Sequence, residues 1–120
     1  MKKKTLVIGA STNPGRYSNI AINRLVGYNQ PTVAIGLREG EVAGVKIEKE
    51  MLPFEDIDTI TMYINSKRQP EYYDYILSLN PERVIFNPGT ENRELYDLLR
   101  KNNIEVEVGC TLVMLGSNQY

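Results

Sequence analysis

Runs of apolar, β-branched residues of strand length recur along the chain with helical patterns between them. This alternation narrows the fold more than any other feature. The runs are Thr5–Gly9, Thr32–Gly36, Thr59–Ile64, Arg83–Asn87 and Ile104–Val108. Several are apolar on successive residues, the pattern of strands covered on both faces. Helical spacing fills the intervals. Asn19–Val26 has Ser18 as N-cap and Gly27 as its stop. Pro70–Leu79 starts with proline in the tolerated first turn and is closed by Asn80-Pro81. Glu91–Asn102 is capped by Thr90, with Glu91 and Glu94 toward its positive end and Arg100 and Lys101 toward its negative end. Such alternation calls for a parallel sheet with right-handed crossovers. Residues 37–57 depart from it: Val45-Lys46-Ile47-Glu48 alternates apolar with polar and predicts a short exposed or edge strand. Ile104-Glu105-Val106-Glu107-Val108 alternates too, as an edge strand with one wet face does. The expectation is an α/β fold: a Rossmann-like, doubly wound, mostly parallel sheet of about five to six strands with helices on both faces. At 120 residues, with no internal linker or repeat, the chain reads as a single domain, residues 1–120.

The first strand runs into a loop of distinctive composition, Gly9-Ala10-Ser11-Thr12-Asn13-Pro14-Gly15-Arg16-Tyr17-Ser18. A strand that passes through a glycine loop into a helix N-terminus suits an anion, because backbone N–H groups and the helix dipole point into the loop. Arg16 adds a planar, permanently charged fork suited to phosphate. A P-loop requires G-x-x-x-x-G-K-[ST]; here Gly9 and Gly15 lie one residue too far apart, Arg16 stands for the lysine, and Tyr17 displaces the hydroxyl residue. A dinucleotide fingerprint requires G-x-G-x-x-G; here Ala10 and Ser11 follow Gly9, so the second glycine is missing. The acidic residue expected after the second strand is missing as well, and Gly36-Leu37-Arg38 stands there. A basic Arg38 favours a ribose carrying an extra phosphate, as in NADP or coenzyme A. The plainer alternative is that the two glycines merely turn the chain and Arg16 is solvated.

Composition removes whole classes of chemistry. The chain has no histidine and one cysteine, Cys110. A Ser-His-Asp triad and a His/Cys metal cluster are therefore impossible within it. The net charge of −1 gives no support to a nucleic-acid or membrane surface. No apolar run approaches the ~18–20 residues of a membrane span, and the run after Lys2-Lys3-Lys4 is too short for a signal peptide. With no internal disulfide available, the expected location is the cytoplasm.

The ordered set Gly9-Ala10-Ser11-x-Asn13-Pro14-x-Arg16-x-Ser18, Gly44-Val45-Lys46-Ile47, Asp56-Ile57-Asp58, Asn87-Pro88-Gly89 with Glu91-Asn92, and Cys110-Thr111-Leu112-Val113-Met114-Leu115 resembles the small stand-alone CoA-binding proteins. These are Rossmann-like domains similar to the CoA-binding domain of the succinyl-CoA synthetase α subunit. The resemblance covers nearly the whole chain and implies coenzyme A, or an acyl-CoA, held across the strand ends. It implies that Gly9, Ser11, Arg16 and Ser18, within the loop that also contains Ala10, Asn13, Pro14 and Tyr17, hold the phosphates. It places Gly36, Leu37 and Arg38 beside the adenosine. It lines the pantetheine groove with Ile64, Asn65 and Lys67 and with Asn87, Pro88 and Gly89. Gly36-Leu37 departs from the family's proline after the second strand, and Tyr63-Ile64-Asn65 from an aromatic-arginine pair.

The implied activity is binding without catalysis, as a carrier, sensor or regulatory module, with a protein partner left open. The alternatives are an NADP-dependent oxidoreductase or other nucleotide-binding domain, and an interaction domain without ligand. Cys110 reads as a small apolar filler or as a thiol near the CoA sulfur. Among Tyr72, Tyr73 and Tyr75, two rings are expected to pack helix against sheet and one to face out. Asp56 and Asp58 read as a solvated loop, and Glu91 as a complement to the helix dipole.

Overall fold

β1 (Thr5–Ala10) is the central strand. In the computed structural model, which describes residues 2–120, it belongs to a seven-stranded sheet. The other strands are β2 (Thr32–Gly36), β3 (Gly40–Val42), β4 (Val45–Glu48), β5 (Thr59–Met62), β6 (Arg83–Phe86) and β7 (Glu105–Val108), in the order β3-β4-β2-β1-β5-β6-β7. Every pairing is parallel except β3 with β4. Register is direct, with Thr5 opposite Thr32 on one side and Thr59 on the other. The chain winds outward from β1 through β2 and β4, returns to β5 on β1's other side, and winds outward again. Strand order therefore reverses between β1 and β5, and the carboxyl ends of those strands open a crevice.

Alternation along the strands divides the core in two. Leu6, Ile8, Ile60, Met62, Val84 and Phe86 face α2 (Tyr73–Leu79) and α3 (Arg93–Lys101), which contribute Ile76, Leu95 and Leu99. Val7, Ala34 and Ile47 face α1 (Tyr17–Gly27) and α4 (Thr111–Gly116), which contribute Ile22, Leu25 and Leu115. Helices thus cover both faces, as the periodicity predicts. On β5 and β6 the second face is buried and largely polar, through Thr59, Thr61, Arg83 and the following Asn87 around Ile85. Arg83 donates from Nε to Thr59 Oγ1 (2.8 Å), pairs with Glu107 (3.1 Å) and stacks on the Tyr120 ring (4.5 Å). The Tyr120 hydroxyl in turn meets Thr5 Oγ1.

Several local readings are corrected. The sheet has seven strands, because β3 folds back on β4 through Ala43 and Gly44, both at positive φ (53° and 82°), the conformation of a two-residue primed turn. β4 is consequently paired on both sides, and β7 alone of the two alternating runs is an edge. Helix α1 begins at Tyr17 with extended Arg16 as N-cap, so Ser18 is a buried helical residue. Thr90 does not cap α3: its hydroxyl donates to Asn87 O (2.7 Å), and Asn92 Oδ1 accepts the Leu95 N–H instead. The Cys110–Leu115 segment forms a fourth helix, α4, and a short 3-10 turn (Gln69–Tyr72) leads into α2.

Candidate functional site

Two glycines shape the end of β1. Ile8 pairs with Ile35 and Ala10 with Gly36, so Gly9 is a bulged extra residue. It takes φ +97°, and a Cβ on it would come within 2.9 Å of Ile64 Cγ2 and of the Tyr63 carbonyl carbon. A Cβ on Gly36 would strike the Ala10 carbonyl oxygen. The exits of β2, β1 and β5 can therefore approach one another only where these side chains are missing.

The loop beyond is held by its own side chains. Ser11 Oγ accepts the Asn13 N–H (3.0 Å) and Asn13 Oδ1 accepts the Gly15 N–H (2.9 Å). Arg16 N–H closes a turn onto Asn13 O (3.0 Å), with Pro14 at the position that favours proline. Asn19, buried in α1, donates to Ser11 O (2.9 Å), and Asn23 supports Asn19. The N–H groups of Tyr17 and Ser18 fall in the first turn, where a helix supplies no acceptor. Among the described residues they find no other, so the positive end of the α1 dipole is left without a partner there.

This loop is one wall of a cleft of about 730 Å³ across the strand ends. Of the residues that the resemblance places around the ligand, all but three line it: Gly9, Ala10, Ser11, Asn13, Arg16, Tyr17, Ser18, Gly36, Leu37, Arg38, Ile64, Asn65, Pro88 and Gly89 do. Pro14, Lys67 and Asn87 do not. Pro14 and Lys67 are exposed. Asn87 turns into the protein, where its Nδ2 donates to Thr61 Oγ1 (2.7 Å) and Met62 O (2.9 Å) and its Oδ1 accepts the Thr111 N–H (2.9 Å). Five lining residues lay outside the sequence reading of the site: Thr12, Tyr63, Arg68, Tyr72 and Thr90. Among the described residues, the charged groups lining the cleft are Arg16, Arg38 and Arg68, with no acidic side chain, although the chain as a whole is slightly acidic.

The far wall is fixed by Gln69, which is fully buried. Its Nε2 donates to Ile64 O (3.0 Å) and Thr90 O (2.7 Å), and its Oε1 accepts from Asn92 (2.8 Å). The loops after β5 and β6 are thereby riveted together. Glu91 Oε1 accepts the Gly89 N–H (2.9 Å) and shapes the same wall. Burial pushes the Tyr63 phenol up to about 12, so it stays protonated at neutral pH.

Cys110 is half-buried at the N-cap of α4 and does not line the cleft. Tyr72 is buried and lines the cleft, Tyr75 is half-buried and donates to Leu52 O (2.5 Å), and Tyr73 lies at the surface, where its hydroxyl donates to Glu94 (2.9 Å). Asp56 is exposed at positive φ, and Asp58 accepts the neighbouring Thr59 hydroxyl.

A family model described as a CoA binding domain matches residues 3–116. No curated protein matches the chain. A solved protein described only as uncharacterized is 47% identical, with a TM-score of 0.97, over 100% of this chain and 99% of that one. A conserved hypothetical protein from Pyrococcus furiosus is 26% identical, with a TM-score of 0.81, over 94% of this chain and 98% of that one. The dinucleotide-forming acetyl-coenzyme A synthetase 1 of Ca. Korarchaeum cryptofilum shares the fold at 17% identity and a TM-score of 0.72; the match covers 87% of this chain but 25% of that one. Among the described residues, no helix is long and apolar enough to cross a membrane.

Proposed function

The chain belongs to the CoA binding domain family, and on that premise we propose that its cleft holds coenzyme A or an acyl-CoA. We further propose that it acts in the cytoplasm as a non-catalytic carrier, sensor or regulatory module. The observation that carries the reading is the cleft's charge: Arg16 and Arg38, with no carboxylate among the described lining residues, stand on the β1–β2 side of a crevice at the switch point of the sheet. Coenzyme A brings a diphosphate and a ribose phosphate to such a site. Arg16 and the first-turn N–H groups of α1 would take the diphosphate. Arg38, beyond β2, would take the ribose phosphate, and the exposed Tyr17 and Leu37 (71% and 65%) would flank the base. Tyr63, Ile64, Asn65, Pro88 and Gly89 would line the path of the pantetheine arm.

The donor set fits the ligand and offers little for proton transfer. The chain has no histidine. The Tyr63 phenol, which meets the buried Thr61 and Thr111 hydroxyls, is held protonated by burial. Binding is therefore what these residues do best.

Thermal melts with CoA, acetyl-CoA, NADPH and ATP test the reading. A ligand at a hundred times its Kd adds about 2.7 kcal/mol to stability, so CoA should raise the midpoint visibly. Arg16→Ala should weaken CoA by about 1.5–3 kcal/mol, the worth of a charged hydrogen bond. A rise with NADPH and none with CoA would overturn the proposal in favour of an NADP-dependent activity. No rise with any of the four would favour an interaction domain.

A further inference from the structure

We propose that the cleft selects thioesters whose acyl group itself ends in a carboxylate, and that Arg68 receives that carboxylate. The inference rests on the reading that the cleft holds a CoA-type ligand.

The arginines are distributed across the sheet. Arg38 follows β2, Arg16 precedes α1 beside β1, and Arg68 follows β5, on the other side of the strand reversal. Coenzyme A carries all its negative charge at the nucleotide end, and its thiol end is neutral. Arg16, Arg38 and the free N–H groups of Tyr17 and Ser18 already answer the nucleotide end from the β1–β2 side. Arg68 shares its side of the cleft with Tyr63, Ile64, Tyr72, Pro88 and Thr90, all neutral. Nothing on free CoA or acetyl-CoA would need a guanidinium there.

Arg68 is also held in place. Its N–H donates to Asn65 O (3.1 Å) and Oδ1 (3.2 Å), which closes the β5 loop. The next residue, Gln69, is the buried amide that ties this loop to Thr90 on the β6 loop. The backbone of Arg68 thus sits at the seam of the two loops, where the end of a pantetheine arm would emerge. Its ionic partner is Glu71 at 3.9 Å, with the two side chains 37% and 58% exposed. So long and wet a pair holds the guanidinium weakly. A ligand carboxylate can take two of its N–H groups at once in place of Glu71, the one carboxylate beside this guanidinium among the described residues, which does not itself line the cleft.

The test is direct binding, by calorimetry, of six compounds to the wild type, Arg68→Gln and Arg68→Lys. They are CoA, acetyl-CoA and two pairs of similar chain length, butyryl-CoA with malonyl-CoA and hexanoyl-CoA with glutaryl-CoA. At least one carboxylated member should bind the wild type about tenfold or more tightly than its neutral counterpart, the effect of one charged hydrogen bond. Arg68→Gln should abolish that preference and leave CoA and acetyl-CoA within about twofold, and Arg68→Lys should keep part of it. Equal binding within both pairs overturns the inference while leaving the CoA reading standing. A similar loss for all six compounds in Arg68→Gln also overturns it, by assigning Arg68 to the phosphates. If none of the six binds the wild type, the reading of the cleft falls and this inference falls with it.

Discussion

Replacing Asn87 by leucine should cost stability without removing a ligand contact. Its carboxamide is 2% exposed and makes three bonds, two as donor to Thr61 Oγ1 and Met62 O and one as acceptor from the Thr111 N–H. Leucine has nearly the same shape and none of the polarity. Thr61 Oγ1 keeps its bond to Thr111 Oγ1 (2.8 Å), but the Thr111 N–H, in a fully buried residue, loses its acceptor. An orphaned buried group costs ~1–3 kcal/mol, and the loss of the Met62 bond adds to it, so the total should be about 2–3 kcal/mol. With an unfolding entropy of ~2.1 cal/mol/K per residue, that is a fall in Tm of roughly 8–12 °C. Urea unfolding gives the free energy, and CoA titration at a temperature where both proteins are folded gives the affinity. Affinity should stay within about threefold, since the amide faces away from the cleft and the residual change is far below one charged hydrogen bond. A variant that keeps its Tm but loses CoA binding would refute the reasoning and return Asn87 to the ligand site.

Two further outcomes follow from the geometry around the cleft. Gly36→Ala should destabilise the fold by ~1–3 kcal/mol, because its Cβ must displace the Ala10 backbone or Ile47 Cγ2; it should also weaken CoA through the shifted β1 exit, and an unchanged urea midpoint would show that the strands have room. Tyr63 binds its proton more tightly folded (about 12) than its ordinary value of 10.0, so stability is fully present below pH 10 and declines as pH rises toward 12, by at most roughly 2–3 kcal/mol; Tyr63→Phe should flatten part of that decline between pH 9 and 11.5, and an equally steep curve would assign the loss to other phenols.

The frame of the molecule was legible because it is written in period. Continuous apolar runs marked the buried strands, and the glycine after β1 marked the crevice. The parts that were not legible depend on residues far apart in sequence. Ala43-Gly44 lacks the usual asparagine or aspartate of a primed turn, so β3 is found only by its pairing with β4. Lys67 and Arg68 are adjacent in one exposed loop, where no periodicity distinguishes them. Which one lines the cleft is decided by Gln69 reaching Thr90, twenty-one residues away. Asn87 did carry a signal, since it continues the alternation Arg83, Ile85, Asn87 on the buried polar face. Its neighbours Pro88 and Gly89 suggested a turn residue free to face a ligand, and the partner that claims it, Thr111, lies in a helix the sequence did not announce.

The polar residues near the cleft therefore divide by what has already claimed them. Ser11, Asn13, Asn19, Gln69, Asn87, Thr90 and Glu91 spend their side chains on the protein's own backbone. Those bonds hold three loops at fixed spacing around the crevice. Arg16 and Arg38 have no ion pair among the described residues, and Arg68 has only a loose one. A site whose hydrogen-bonding groups are committed to shape and whose cations are uncommitted is preorganised for an anion supplied from outside. The same division explains why substitutions in the first set should register in melting curves and those in the second in binding isotherms.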